Sequence, residues 1–227
     1  MPSATMEEYL ELVYKLSEKG DVRPTQIAEA LGVSGPTVTS ALKRLEIRGL
    51  ITRPDGAVVL TEEGRREALD IIRRHRLSER FLVDVLGLSW EEVHDEACRL
   101  EHALSPKVME ALEAFMERPE SCPHGHPIPT AAGEVREVEG VPLCESGGGQ
   151  RVEIVQVSED DHELLPYLAS LGMFPGREVE VCEVAPFRGP LLVNVAGSQY
   201  ALGREVAAKI LVRPAGKGRL GMGRRKR

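Results

Sequence analysis

Apolar residues recur at helical spacing through the first half of the chain and alternate with polar ones later, so the two parts predict different architectures. Tyr9, Leu12, Val13 and Leu16 predict a helix over residues 5–19, stopped by Gly20. A short helix from Thr25 to Leu31, apolar at Ile27, Ala28 and Leu31, breaks at Gly32. Ser34 is placed to cap a second helix with Pro36 in its first turn. That helix turns Val38, Ala41, Leu42 and Leu45 inward and ends near Gly49. This is helix-turn-helix grammar. ITRPDGAVVLT follows, two β-prone runs around Pro54-Asp55-Gly56, and a hairpin there makes the motif a winged helix. The plainer alternative is a helical hairpin followed by a β-turn.

Thr61 caps a predicted long helix from Glu62 to about Val85, which Gly87 ends. SWEE, Ser89 to Glu92, is a capping box opening another helix, and Ser105-Pro106 begins one more that runs to about Arg118. Residues 119–150 are rich in proline and glycine and read as a linker. RVEIVQV, REVEVCEV, PLLVNVAG and AKILVRP then predict strands, with one helical piece, HELLPYLASLGM, among them.

A chain of 227 residues has room for one large domain or two smaller ones. No segment approaches the ~20 consecutive apolar residues of a membrane span. MPSATMEEYLELVY lacks the basic and apolar regions of a secretory signal. Cys98, Cys122, Cys144 and Cys182 are scattered without a disulfide framework, so a reducing cytoplasm is the expected compartment. A net charge of -7 argues against indiscriminate nucleic-acid binding. Between Arg23 and Arg53, however, Arg23, Lys43, Arg44, Arg48 and Arg53 face only Glu29 and Glu46, and the tail KGRLGMGRRKR is basic. Any DNA contact is therefore expected to be local.

The chemistry concentrates in HDEACRLEH, His94 to His102. At ~100° per residue, His94, Cys98, Glu101 and His102 share about a 100° arc of one helix, while Asp95 and Glu96 point elsewhere. A face of imidazole, thiolate and carboxylate suits a divalent transition metal better than an apolar core. His75 and Glu79 stand four residues apart on the preceding helix, and Glu8 and Glu11 three apart on the first. Pooled, these ligands exceed what one ion takes, so two sites are expected. Each fragment alone also reads as an ordinary polar helix face. HDEAC is not the HExxH motif of a zinc hydrolase, and no Ser/His/Asp set or phosphate loop accompanies it, so an enzyme is not expected. Cys122, His124 and His126 alternate in CPHGHPIP, but the prolines and glycine there suit a structured turn at least as well as a further metal site.

SGPTVT, RRHRLSERFL, VHDEACRLEHALS and CPHGHPIP, in this order, resemble the diphtheria toxin repressor (DtxR/MntR) family of metal-dependent repressors over residues 5 to about 130. The C-terminal module resembles the SH3-like (FeoA-type) domain of many members. The resemblance implies a mainly α N-terminal winged helix-turn-helix with a helical dimerisation domain, followed by a small SH3-like β-barrel. The corresponding boundaries are 1–62 for DNA binding, 63–126 for metal binding and dimerisation, 127–149 for a linker, 150–214 for the SH3-like domain and 215–227 for a basic tail. It places His75, Glu79 and His94 in an ancillary metal site, and Cys98, Glu101 and His102 in a primary site that Glu8 completes from the first helix. Glu11 matches a further ligand of the manganese-sensing branch. Glu159, Asp161 and His162 match a turn that in some members donates to the ancillary site; an acidic solvated turn is the alternative.

Cys98 is typical of the iron-sensing branch and a carboxylate at position 8 of the manganese-sensing one. A soft thiolate favours Fe(II) and hard carboxylates Mn(II), so either ion is expected, two per subunit, with Glu8 and Glu11 inclining the reading to manganese. The implied protein is a cytoplasmic homodimeric repressor, without membrane contact, on palindromic double-stranded operator DNA. Thr25, Ser34, Pro36, Thr37, Thr39 and Ser40 are the expected groove-facing contacts, and Lys43, Arg44 and Arg53 the phosphate contacts. A metal-independent winged-helix regulator answering an organic effector is the alternative.

Overall fold

The computed structural model describes residues 4–159 and 163–216, in two compact units. The first takes the chain to Leu88, then Val93–Cys122 and Pro127–Arg136; the second takes Ser89–Glu92, Pro123–His126 and everything from Glu137.

In the first unit, α1 (Ala4–Ser17) leads into α2 (Pro24–Leu31) and α3 (Gly35–Ile47). Gly32 breaks the chain between them in the left-handed region, φ 63°, and the Ser34 hydroxyl accepts the Thr37 N–H to start α3. Ile27, Val38, Leu42 and Leu45 are fully buried and join Leu10 and Val13 of α1 in one core. β1 (Ile51–Thr52) and β2 (Val59–Leu60) pair antiparallel, Ile51 opposite Leu60, around a turn in which Asp55 and Gly56 have φ 48° and 76°. Arg23 Nη1 donates to the Asp55 carbonyl at 2.8 Å, which ties this wing to the start of α2.

The long helix α4 (Glu62–Asp84) starts hard against the wing. Thr61 donates to Leu50 O through its N–H at 3.0 Å and to Gly49 O through its hydroxyl at 2.6 Å, while its Oγ1 accepts the Gly64 N–H at 3.1 Å. This approach explains Gly64: a Cβ there would lie 1.9 Å from Leu50 O. Further along, α4 is buried although it is polar. Arg73 pairs with Glu113 at 2.6 Å, and Arg76 and Arg80 donate to the carbonyls of Pro127 and Ser121 at 2.7 and 2.9 Å. The opposite side of α4 faces α5 (Val93–Glu101), and α6 (Pro106–Phe115) follows.

Two helix ends differ from expectation. SWEE does not open α5, because the Ser89 hydroxyl donates to the Glu92 carboxylate at 2.9 Å and Trp90 packs on the core of the second unit. α6 stops before Arg118, since Glu117 and Arg118 adopt φ 59° and 56°. In the stretch expected as a linker, Ile128 is buried with Leu77 and Met109 in the first unit, and Leu143 is buried in the second.

The second unit contains β3 (Val141–Pro142), β4 (Arg151–Val157), α7 (Leu164–Ser170), β5 (Glu178–Val184), β6 (Leu191–Val195), β7 (Ser198–Leu202), α8 (Arg204–Ala208) and β8 (Ile210–Pro214). The strands form one antiparallel sheet in the order β3-β8-β4-β5-β6-β7. Among the described residues no ladder joins β3 to β7, so the sheet is open where a closed barrel was expected. β3, β7 and α8 escaped the sequence reading. β7 pairs with β6 across the two-residue turn Ala196-Gly197, whose positive φ values of 50° and 91° suit a tight hairpin. A bulge between Ile154 and Gln156 shifts the pleat of β4, so Val157 rather than Gln156 turns into the core with Val152 and Ile154.

Gly64→Ala is expected to cost about 2–3 kcal/mol through overpacking against the Leu50 carbonyl, read as a lowered urea midpoint at unchanged m-value.

Candidate metal centre

α4 and α5 lie side by side and bring their ligand-type side chains together. His75 is 1% exposed, Glu79 0% and Glu101 1%. The Nδ1 of His75 is 2.6 Å from Glu101 Oε2, and its Nε2 is 3.1 Å from both Glu79 Oε1 and His94 Nδ1. Cys98 Sγ stands 3.8 Å from His75 Nδ1 and 3.7 Å from His94 Nε2. One donor atom each from His75, His94 and Cys98 falls within 4.8 Å of the others. Glu101 then links this group to His102, whose Nε2 is 3.3 Å from Glu101 Oε1. The structure thus draws Cys98 toward His75 and His94, residues expected at the other site. Asp95 and Glu96 are exposed, and Glu96 pairs with Arg99.

These contacts set the protonation of the cluster. Burial disfavours an imidazolium at His75, but hydrogen bonds with Cys98, Glu101 and Glu79 outweigh it and hold its pKa well above the usual histidine range. Hydrogen bonding to Cys98, then to Glu79, raises His94 to about 10. For Cys98, burial favours the thiol, yet the two imidazoles overcome it and lower its pKa. Burial raises Glu101, with Glu11 adding to the rise and His75 opposing it. Two imidazoles, a sulfur inclined to ionise and buried carboxylates are the donor chemistry of a divalent transition metal, so the residues fit one.

The first helix contributes differently from expectation. Glu8 is exposed, and Glu7 instead reaches His102, Oε2 to Nδ1 at 2.6 Å. Arg74 donates to the other Glu7 oxygen at 3.3 Å and to the Glu101 carbonyl at 3.0 Å. Glu11 pairs with Lys15 at 3.0 Å. The cause is the orientation of α1. Its buried residues are Met6, Tyr9, Leu10, Val13 and Tyr14, whereas Leu12 and Leu16 are only partly buried. Relative to the stripe Tyr9, Leu12, Val13, Leu16, the inward face is turned by about 80° at ~100° per residue, enough to exchange Glu8 for Glu7. The spacing of Glu7 and Glu11, one full turn, was the available signal.

In the second unit, Glu159 Oε2 is 3.8 Å from His124 Nδ1 and 3.7 Å from His126 Nε2. His124 also donates through Nε2 to the Trp90 carbonyl at 2.7 Å, and His126 to that of Val157 at 3.0 Å. Asp161 and His162 lie outside the described residues, as does the tail beyond Gly216. On the DNA-binding motif, Thr25, Ser34, Pro36, Thr37, Thr39, Ser40, Lys43 and Arg44 are all exposed. Arg53 is partly buried and donates through Nε to Glu46 of α3 at 3.1 Å.

Residues 1–58 match the model of the iron-dependent repressor N-terminal DNA-binding domain, and residues 61–130 that of the iron-dependent repressor metal-binding and dimerisation domain. The chain belongs to the iron-dependent repressor family. Residues 141–214 of this family member also match the FeoA domain. It is 39% identical over 223 residues to the iron-dependent repressor IdeR of Mycobacterium tuberculosis, covering 92% of this chain and 96% of that protein. With the diphtheria toxin repressor of Corynebacterium glutamicum it shares 35% over 222 residues, covering 92% and 95%. Among solved structures, a manganese-dependent transcriptional repressor in complex with manganese superposes with a TM-score of 0.84 at 36% identity, covering 92% of this chain and all of that one. ScaR with bound Cd2+ superposes with a TM-score of 0.79 at 31% identity, covering 94% and 100%. In this family member, His75 to His102 lie within the metal-binding model, whereas Glu7 and Glu11 lie within the DNA-binding one.

Hydrogen bonding to Cys98 and Glu79 raises His94 to about 10, so its imidazole carries a proton at neutral pH without metal, and a metal takes imidazole only in its neutral form. Metal binding near pH 7 is therefore expected to release protons, and affinity to strengthen as pH rises. Titration calorimetry in buffers of different ionisation enthalpy measures the release; a buffer-independent heat would contradict it.

Proposed function

We propose that this family member is a metal-dependent transcriptional repressor that binds palindromic operator DNA as a homodimer in the cytoplasm and controls metal homeostasis. The co-repressor is Mn(II) or Fe(II), at two ions per subunit. Cys98 with two imidazoles favours Fe(II), and the Glu101 side of the cluster, with Glu11 near it, favours Mn(II). Residues 1–62 bind DNA, 63–126 bind metal and dimerise, 127–149 connect, 150–214 form an SH3-like module and 215–227 a basic tail.

The observation that carries this reading is the network running from the buried donors of α4 and α5 to Glu7 of α1, the helix that leads into the helix-turn-helix. A ligand that reorganises the donors also alters the hold on α1, and so shifts the population of DNA-competent dimers. The exposed start of α3 offers hydroxyl groups and few charges for base contact, so DNA shape adds to specificity.

The test is anisotropy of an operator selected from random sequence, first under chelation and then with Mn(II), Fe(II), Co(II) or Zn(II) at matched free concentrations. Metal removal is expected to weaken binding by roughly 5–150-fold. Full-strength binding under chelation, relieved by an organic effector, would establish the metal-independent alternative. Arg44→Ala is expected to weaken binding to all sequences alike and to reduce the salt slope by about 1. A change of sequence preference instead would make Arg44 a base reader.

A further inference from the structure

Arg53, an expected phosphate contact, has another partner in the structure. Its Nε and Nη2 both donate to one oxygen of Glu46, Oε2, with Nε at 3.1 Å. The pair joins the wing to the end of α3 and stays open to solvent, the side chains being 32% and 40% exposed. Local helix chemistry disfavours a carboxylate at this point. α3 ends at Ile47, so Glu46 lies in its last turn, where the helix dipole opposes negative charge. At ~100° per residue, Thr39, Lys43 and Glu46 also share the side of α3 that carries the expected DNA contacts. A lone carboxylate there would repel the DNA backbone, and Arg53 neutralises it.

We propose that Glu46 withholds the wing's cation from DNA: it holds the Arg53 guanidinium off the phosphate backbone and so keeps sequence-independent binding weak. The inference rests on the repressor reading only in taking residues 1–62 to bind DNA. Phosphate contacts supply nearly all of the affinity for non-specific duplex, whereas operator binding also draws on base edges and DNA shape. A cation neutralised within the protein releases no counterion from DNA, so withholding it removes affinity that carries no sequence information. Arg53 then fixes the wing against α3, as Arg23 fixes it against α2 through the Asp55 carbonyl at 2.8 Å. Lys43 and Arg44, exposed on α3, are left to meet phosphate.

The test uses the full chain with Mn(II) and a mixed-sequence duplex lacking the operator, read by anisotropy as salt is raised. Glu46→Gln is expected to bind more tightly and to steepen the slope of log affinity on log salt by about 0.9, the value of one phosphate contact. Its advantage over wild type then shrinks about 3.5-fold between about 50 and 200 mM salt. The double variant Glu46→Gln, Arg53→Ala, which has the wild-type net charge, is expected to return to the wild-type slope. Glu29→Gln makes the same change of charge at an exposed position of α2 and is expected to leave the slope unchanged. A wild-type slope equal to that of Glu46→Gln and steeper than that of the double variant would mean that Arg53 already meets phosphate, and would overturn the proposal. Equal steepening in Glu29→Gln would reduce the effect to net charge and overturn it too. Operator binding that ignores metal would refute the repressor reading alone, because the slopes are compared under one condition and still judge Glu46.

Discussion

His75 sits in the protein interior with a carboxylate at each ring nitrogen, Glu101 on one side and Glu79 on the other. An unpaired charge buried to this degree would cost several kcal/mol, so each member of the cluster is tolerable only because the others are in place. This constraint fixes the register of α5 against α4. Moving α5 by one residue would swing Glu101 away from His75 and Cys98 away from His94. The helix pair is thus built around polar groups that a stable apolar core would have avoided, and their survival there points to a ligand.

The rest of the first unit links that cluster to the helix-turn-helix. α4 carries the cluster at its middle and meets the wing at its start, where Gly64 lets the helix close on the Leu50 carbonyl. The wing is pinned to α2 by Arg23 and to α3 by Arg53 and Glu46. α1 closes the circuit, packed on the helix-turn-helix core through Leu10 and Val13 and bonded to His102 through Glu7.

The fold was largely legible where one helix or strand carries its own signal. Ser34, Pro36 and Gly32 mark the helix-turn-helix by local backbone chemistry, and β4 shows its alternation as far as the bulge after Ile154. β3 and β7 were not legible, because a two-residue strand has no period and SQYAL is defined by its partner β6. SWEE failed as a helix start because Trp90 finds an apolar core elsewhere in the chain, and packing of an indole outweighs a local capping preference.

The candidate site divides in the same way. By itself the sequence determined which side chains share a face: His94, Cys98, Glu101 and His102 on one helix, and His75 with Glu79 on another, because helical periodicity acts within an element. It also marked α1 as a source of carboxylates. Only the tertiary structure decided how those faces meet, joining Cys98 to His75 and His94 and setting Glu101 between His75 and His102. It also chose Glu7 over Glu8. Neighbouring residues differ by ~100° around a helix, and which of them turns inward depends on how Met6, Tyr9, Leu10, Val13 and Tyr14 pack, a property of the assembled core.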